Sequence, residues 1–341
     1  GVMRSHNPNL VRASLDQEIT HLDTAHVYQN GNNEKMLGEV LKDYDRDSFV
    51  IATKVKPKLK ALKEGSISAA EFESSFISML DTSLERLKLN YVDILYAHAL
   101  SSKEDTTNET LLKTLKKVKK QGKVKHVGVS THRNEHEVIR AAADSGVHEV
   151  VLTAINFQQD HKDKILNEIE YASKKGIGIV AMKTMAGGYL DKEKQHPVDC
   201  KAALKWVMQH PHVHTSIPGM VNFEQLEENT AVLYDTDLSK DEKEHLQLAS
   251  RNGGMYCQGC EKCLKECPYN LEIPDMMRAY MYAYGYKETQ KARELVDRLN
   301  VSKNACESCT FCTVDCPKGF NVADKIKDIK RIKEVPEDFL A

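Results

Sequence analysis

Between residues 18 and 220, seven short apolar or β-branched runs alternate with stretches of helical spacing, and this alternation constrains the fold more than any other feature. The runs read ITHLDT, FVIATKV, YVDILYAHA, KHVGVS, EVVLTAIN, GIVAMKT and HTSIPG. They are too apolar to leave one face in water, so they predict a parallel sheet covered by helices. In the intervening AAEFESSFISMLDTSLERL, Phe72, Phe76, Ile77, Leu80, Leu84 and Leu87 recur at steps of three and four and line one helical face. Gly122, Gly146 and Gly176 follow helical stretches and predict their ends. A doubly wound sheet would carry a glycine-rich turn after its first strand, and this chain has none. The pattern therefore predicts a (β/α)8 TIM barrel over residues 1–250 and a second, smaller domain over 251–341. The abrupt opening GVMRSHNPNL predicts that the start is truncated, with one strand partly lost at or before it.

Composition narrows the function classes. The 341 residues carry a formal net charge of −2 with 29% charged residues, which argues against nucleic-acid binding. No window approaches the length of apolar sequence that spans a bilayer, and no charged-then-apolar leader opens the chain. The expected setting is the cytoplasm. Eight of the nine cysteines lie beyond residue 256, which favours metal or redox chemistry over disulfides. The exception, Cys200, opens a helical stretch and reads as a buried structural thiol. The basic run LKKVKKQGKVKH keeps an apolar stripe at Leu112, Leu115 and Val118, so it reads as a solvated helix face.

In a parallel barrel the chemistry gathers at the carboxyl ends of the strands. Those positions carry Asp23, Lys54, His98, Ser130, Asn156 and Lys183. Ionisable groups ending apolar strands are costly unless paired or put to use. The stretch HLDTAHVYQNGNNEKMLGEVL resembles the aldo-keto reductase signature: Asp, Tyr five residues on, then Glu and Leu-Gly opening a helix. IATKV, DILYAHA and SIPGMVNFEQLEEN are similar to later motifs of that family in the same order, so the resemblance covers residues 1–235. It implies that Tyr28 is the general acid that protonates a carbonyl oxygen, an acid whose ordinary pKa near ~10 needs lowering. Lys54 would lower it, Asp23 would hold Lys54, and His98 would orient the carbonyl of a small-molecule carbonyl or alcohol substrate. His26 and His132 lie near these residues in sequence and are further candidates to touch substrate.

The resemblance also implies a nicotinamide dinucleotide, gripped by the segment Pro218, Gly219, Met220, Gln225, Glu228 and Asn229. Glu228 and Asn229 match residues that meet adenine. Gly219, Met220 and Gln225 stand where the family often has residues, some of them cationic, for a 2′-phosphate. A phosphate monoester without Arg or Lys is poorly held, so NAD(H) is expected over NADP(H). Ser130 and Asn156 are candidates for the carboxamide. Met182 replaces the aromatic ring usually stacked on nicotinamide, with Lys183 beside it as a further candidate contact.

CQGCEKCLKECP and CESCTFCTVDCP both read C-x2-C-x2-C-x3-C-P, the bacterial ferredoxin pattern for two [4Fe–4S] clusters. In that pattern the fourth cysteine of each run ligates the other cluster. Cys257, Cys260, Cys263 and Cys316 would hold one cluster, and Cys306, Cys309, Cys312 and Cys267 the second. A four-cysteine zinc site would use two C-x2-C pairs and leave the third and fourth cysteines without a role. PDMMRAYMYAYGY and TQKARELVDRL, between the runs, look helical, so the domain resembles the helical ferredoxin modules appended to redox enzymes. The combined reading is an iron-sulfur oxidoreductase that reduces a carbonyl, or oxidises an alcohol, with electrons exchanged through the clusters. A hydride carries two electrons and a cluster moves one, so a ferredoxin or flavoprotein partner is expected. The alternative is a ferredoxin-linked electron-transfer protein whose barrel uses no nicotinamide cofactor.

Overall fold

Seven parallel strands pair in chain order: β1 (His21–Asp23), β2 (Val50–Val55), β3 (Val92–Ala97), β4 (Val124–Thr131), β5 (Val150–Ala154), β6 (Gly178–Met182) and β7 (Thr215–Ser216). They belong to a computed structural model that describes residues 1–187, 197–251, 256–302, 304–307, 309 and 312–340. The described chain forms two compact units, one built from 1–157, 161–185 and 200–242, the other from 158–160, the described part of 186–199, and 243–340.

Strand pleating sorts the first unit into two apolar layers, because successive side chains point to opposite faces. Ile51, Leu95, Val127, Val151 and Ile179 face outward and share one large core with the surrounding helices. Ala52, Ile94, Tyr96, Leu152 and Val180, of the opposite parity, form a small separate cluster with Met182 and Ile217. Strands β2, β3, β5 and β6 can share that inner cluster only if the sheet curls upon itself. The fold is therefore the barrel type that the sequence predicted.

The ring holds seven strands among the described residues where eight were expected. Gly1 and Val2 span the interval between β7 and β1. The Val2 N–H donates to the Asp23 carbonyl at 3.0 Å and the Gly1 ammonium to the Pro218 carbonyl at 3.1 Å.

The helical shell follows local rules. Ala69–Leu87 begins with a capping box, in which Ser68 and Glu71 satisfy each other's backbone donors, and ends where Lys88 turns left-handed. It buries Phe72, Phe76, Leu80, Leu84 and Leu87, as its spacing predicted, with Ile77 partly buried. Each such side chain contributes about 1.5–3 kcal/mol. Gly122, Gly146 and Gly176 all have positive φ just after helices. Glu109–Lys120 keeps Leu111, Leu115 and Val118 in the core and its lysines outside. Lys113, Lys117 and Lys119 pair with Glu109, Glu73 and Glu149. Cys200, expected to be buried, is only half-buried at the start of the helix Cys200–Met208.

The second unit is helical, as the segment between the cysteine runs suggested. Helices Ile273–Tyr280, Thr289–Arg298 and Val322–Lys330 close over a core that includes Met276, Val296, Ile326 and the thiol residue Cys263. The first of these runs on into a π-helical turn, Met281–Gly285.

Candidate active site and cysteine centres

The inward parity places the candidate residues. In the β2–β3–β4 register Lys54 lies beside Tyr96 and Tyr96 beside Gly128. His98 and Ser130 stand two residues further on the same face. The ladder continues past β3, since His98 N–H donates to Val55 O at 2.9 Å and Leu100 N–H to Ser130 O at 3.0 Å.

Lys54 is the hub. It is 1% exposed, and its Nζ donates to Asp23 Oδ1 at 2.5 Å and to the Thr24 carbonyl at 2.7 Å. The same Nζ lies 3.4 Å from Tyr28 Oη and 4.9 Å from the centre of that ring. Burial lowers the pKa of Lys54, and Asp23 works against that. The Tyr28 and His98 rings meet edge to face, 5.9 Å between centroids. Thus the structure brings Asp23, Tyr28, Lys54 and His98 together, although the chain separates them by up to 75 positions (98 − 23).

The loop carrying Tyr28 is held under strain. Gln29, Asn30 and Gly31 all have positive φ, a costly sequence that needs outside support. Gln29 Nε2 donates to the carbonyls of Met3 and Ser5 at 3.1 and 3.0 Å. Arg86 Nη1 donates to the His26 carbonyl at 2.9 Å and to Glu34 Oε2 at 3.2 Å, while Thr53 Oγ1 donates to Glu34 Oε1 at 2.7 Å. Glu34 is fully buried. A Cβ at Gly31 would run into the Arg86 guanidinium, so glycine serves both the turn and the contact. Sequence reasoning missed the Glu34–Arg86 pair, because its partners lie 52 residues apart. His26, a candidate substrate contact, instead turns to the helical shell, where its Nδ1 lies 3.1 Å from Ser83 Oγ. Burial and then Arg86 lower its pKa. His132 is half-buried just beyond β4.

The expected cofactor contacts divide. Ser130 Oγ accepts the Ala99 N–H at 2.9 Å and so fixes the left-handed turn directly after His98. Asn156 Nδ2 donates to the Lys183 carbonyl at 3.2 Å. Met182 packs on the inner cluster, whereas Lys183 is exposed with φ 56°. In the segment after β7, Gln225 Oε1 accepts the Val221 N–H at 2.9 Å, so this amide braces its own loop. Gly219 and Glu228 are exposed. Asn229 is buried, and its Oδ1 has no hydrogen-bond donor among the described residues.

In the second unit the two cysteine runs lie side by side. Glu266, next to Cys267, accepts Thr313 Oγ1 on its carbonyl at 2.7 Å and the Asp315 N–H on its carboxylate at 2.9 Å. The Cys263 thiol is pushed up to about 12 by burial and then by its neighbours Cys257, Cys260 and Cys316. Burial also raises Cys306, followed by Cys309, Cys312 and Cys267. Cys263 and Cys306 are thus each influenced by two thiols of their own run and one of the other. No two cysteines are joined in a disulfide among the described residues. Among the described residues, no three His, Cys, Asp or Glu side chains converge as the ligands of a single metal ion would. Ser308, Thr310 and Phe311 of the second run lie outside the described residues.

The chain matches the model of the Aldo/keto reductase family over residues 2–202 and that of the 4Fe-4S dicluster domain over residues 256–321. It is 27% identical to an L-galactose dehydrogenase of Arabidopsis thaliana over 256 residues, 67% of this chain and 77% of that protein. It is 25% identical to a probable aldo-keto reductase of Glycine max over 298 residues, 74% of this chain and 83% of that protein. An aldo/keto reductase from Klebsiella pneumoniae, solved in complex with NADP and acetate, is similar with a TM-score of 0.57 and 25% identity, covering 71% of this chain and 84% of that one.

Proposed function

The chain belongs to the aldo/keto reductase family, and on that premise we propose that it reduces a small-molecule carbonyl, or oxidises the corresponding alcohol, at Tyr28, with electrons exchanged through two [4Fe–4S] clusters. The observation that carries this reading is the Lys54 ammonium, buried between the Asp23 carboxylate and Tyr28 Oη. Tyr28 Oη gives its proton to the carbonyl oxygen. Lys54, an adjacent cation in a dry interior, favours the phenolate left behind. Asp23 keeps Lys54 charged and in place, and the edge contact of His98 limits where Tyr28 can point.

A bound nicotinamide dinucleotide supplies the hydride in this chemistry. The residues fit such a group: Asn229 Oδ1 is a buried acceptor without a donor among the described residues, suited to an amino group of a dinucleotide. NAD(H) remains the preferred form, because Gly219 and Met220 carry no charge and Gln225 is engaged with Val221. Cys257, Cys260, Cys263 and Cys316 would hold one cluster and Cys306, Cys309, Cys312 and Cys267 the other, each able to pass single electrons. We place the domain boundary near residue 250. No helix among the described residues is long and apolar enough to cross a membrane, and a reducing cytoplasm with a ferredoxin or flavoprotein partner suits cysteine-held clusters and one-electron traffic.

Anaerobic calorimetric titration with NAD(H) and NADP(H), alongside reduction of 4-nitrobenzaldehyde, tests the reading. A missing charge-assisted contact to a 2′-phosphate is worth ~1.5–3 kcal/mol, so NAD(H) should bind about tenfold tighter or better. Tighter NADP(H) binding overturns the preference. If neither nucleotide binds, the dehydrogenase reading falls, and the electron-transfer alternative takes its place.

A further inference from the structure

The barrel interior holds three polar atoms that no described residue satisfies: Asp23 Oδ2, His21 Nε2 and Tyr96 Oη. Their side chains share the inward face. His21 and Asp23 have the same parity on β1, and Tyr96 is the direct cross-strand neighbour of Lys54. Asp23 is 2% exposed and Tyr96 is fully buried. The Tyr96 ring fits because β4 carries Gly128 beside it. A Cβ there would come 3.2 Å from the ring and collide with the Val150 carbonyl. The phenol is therefore a large polar group accommodated in the core, rather than a side chain that failed to reach the surface. Asp23 also dominates the charge felt by both neighbours, second only to burial for each.

A buried donor or acceptor left unmade costs roughly 1–3 kcal/mol, and more for a carboxylate, so atoms of this kind on one inward face call for a partner. A water molecule needs two to four polar partners, and this set offers a phenol donor, a carboxylate acceptor and an imidazole nitrogen. We propose that Tyr96 is a positioning residue for the Asp23–Lys54 pair, acting through an internal water held between Tyr96 Oη, Asp23 Oδ2 and His21 Nε2. The water donates to Asp23 Oδ2, the oxygen that Lys54 does not use, and accepts from Tyr96. This stabilises the carboxylate, which in turn keeps the Lys54 ammonium beside Tyr28. The charged and titratable groups around Asp23 are Lys54 from β2, Tyr96 from β3, His21 from its own strand and the Gly1 ammonium; Glu34 adds to the field at Lys54. Of these, Tyr96 is neutral throughout the working pH range, so replacing it alters hydrogen bonding without altering charge.

The proposal rests on the reductase reading, and the test separates the two. The full-length holoprotein and Tyr96→Phe are crystallised, and kcat and KM for 4-nitrobenzaldehyde are measured against pH with NADH and NADPH. The wild-type crystal should show one ordered water within hydrogen-bond reach of all three atoms, lost or moved in Y96F. In Y96F kcat should fall several-fold across the pH range, with KM unchanged. An interior without this water overturns the proposal, whatever the activity. So does a Y96F profile that matches wild type in both limbs while only the melting temperature changes, since that is a packing role. If wild type turns over with neither nucleotide but the water is present and Y96F displaces it, the reductase reading fails while the hydrogen-bonded unit stands.

Discussion

Lys54→Met removes the hub while keeping much of its length and apolar stem. The Lys54 and Asp23 side chains are 2% and 3% exposed and 2.5 Å apart, so solvent offers little screening. At an effective dielectric of ~20 the attraction of such a pair is about 4 kcal/mol at ~4 Å. Removing one partner strands the other charge, which typically costs about 3–5 kcal/mol. The Thr24 carbonyl loses a donor as well, about 1 kcal/mol more. We expect K54M to lose about 4 kcal/mol, roughly 8–16 °C in Tm for a unit of this size. Asp23→Asn should be costly too, but the double variant should recover about 2 kcal/mol relative to the sum of the singles. The single tryptophan, Trp206, packs against the core of the barrel unit, so its emission during guanidinium unfolding reports on that unit. Singles that simply add, or a K54M loss below about 1 kcal/mol, would refute the claim that these residues form a coupled buried pair.

Anaerobically isolated protein should contain about eight iron and eight acid-labile sulfides per chain; Cys316→Ala should halve both, as should Cys267→Ala by losing the other cluster, and stoichiometric zinc would rule the clusters out. Tyr28→Phe should lower carbonyl turnover by ~10² to 10⁴ with cluster absorption unchanged, and unaltered turnover would show the tetrad to be structural. Gly38→Ala ordinarily favours a helix, but a Cβ here would collide with the Arg86 carbonyl and the Leu87 backbone, so denaturant melts should show a loss of about 1–3 kcal/mol rather than a gain.

The barrel was legible because its strands are buried on both faces, so hydrophobicity alone marks them. Asp23, Lys54 and His98 stood out because they end such strands, where charge is out of place, and Tyr28 joined them only through the resemblance to the aldo-keto reductase signature. What stayed hidden depends on contacts between distant or turned groups. Ser130 reads as a carboxamide contact, and what its sequence position does not announce is that its Oγ also accepts the Ala99 N–H, a bond set by how the chain turns after β3. His26 lies two residues before Tyr28, but its ring lies beside Ser83 of the helical shell, a contact across 57 positions of the chain. The span of Gly1 and Val2 between β7 and β1 rests on two hydrogen bonds that no periodicity announces. Tyr96 could have been found: it stands two residues before His98 and so shares its face.

The two-residue pleat also governs which changes of length this protein could accumulate. Adding or deleting one residue within β3 would turn His98 from the interior into the helical shell and bring an outward neighbour inward. The same slip in β2 would exchange Lys54 with Thr53 or Val55. Insertions between a strand and the next helix leave that alternation untouched. Drift in chain length should therefore collect in the connections, while the sheet behaves as a reading frame in which only substitutions are tolerated.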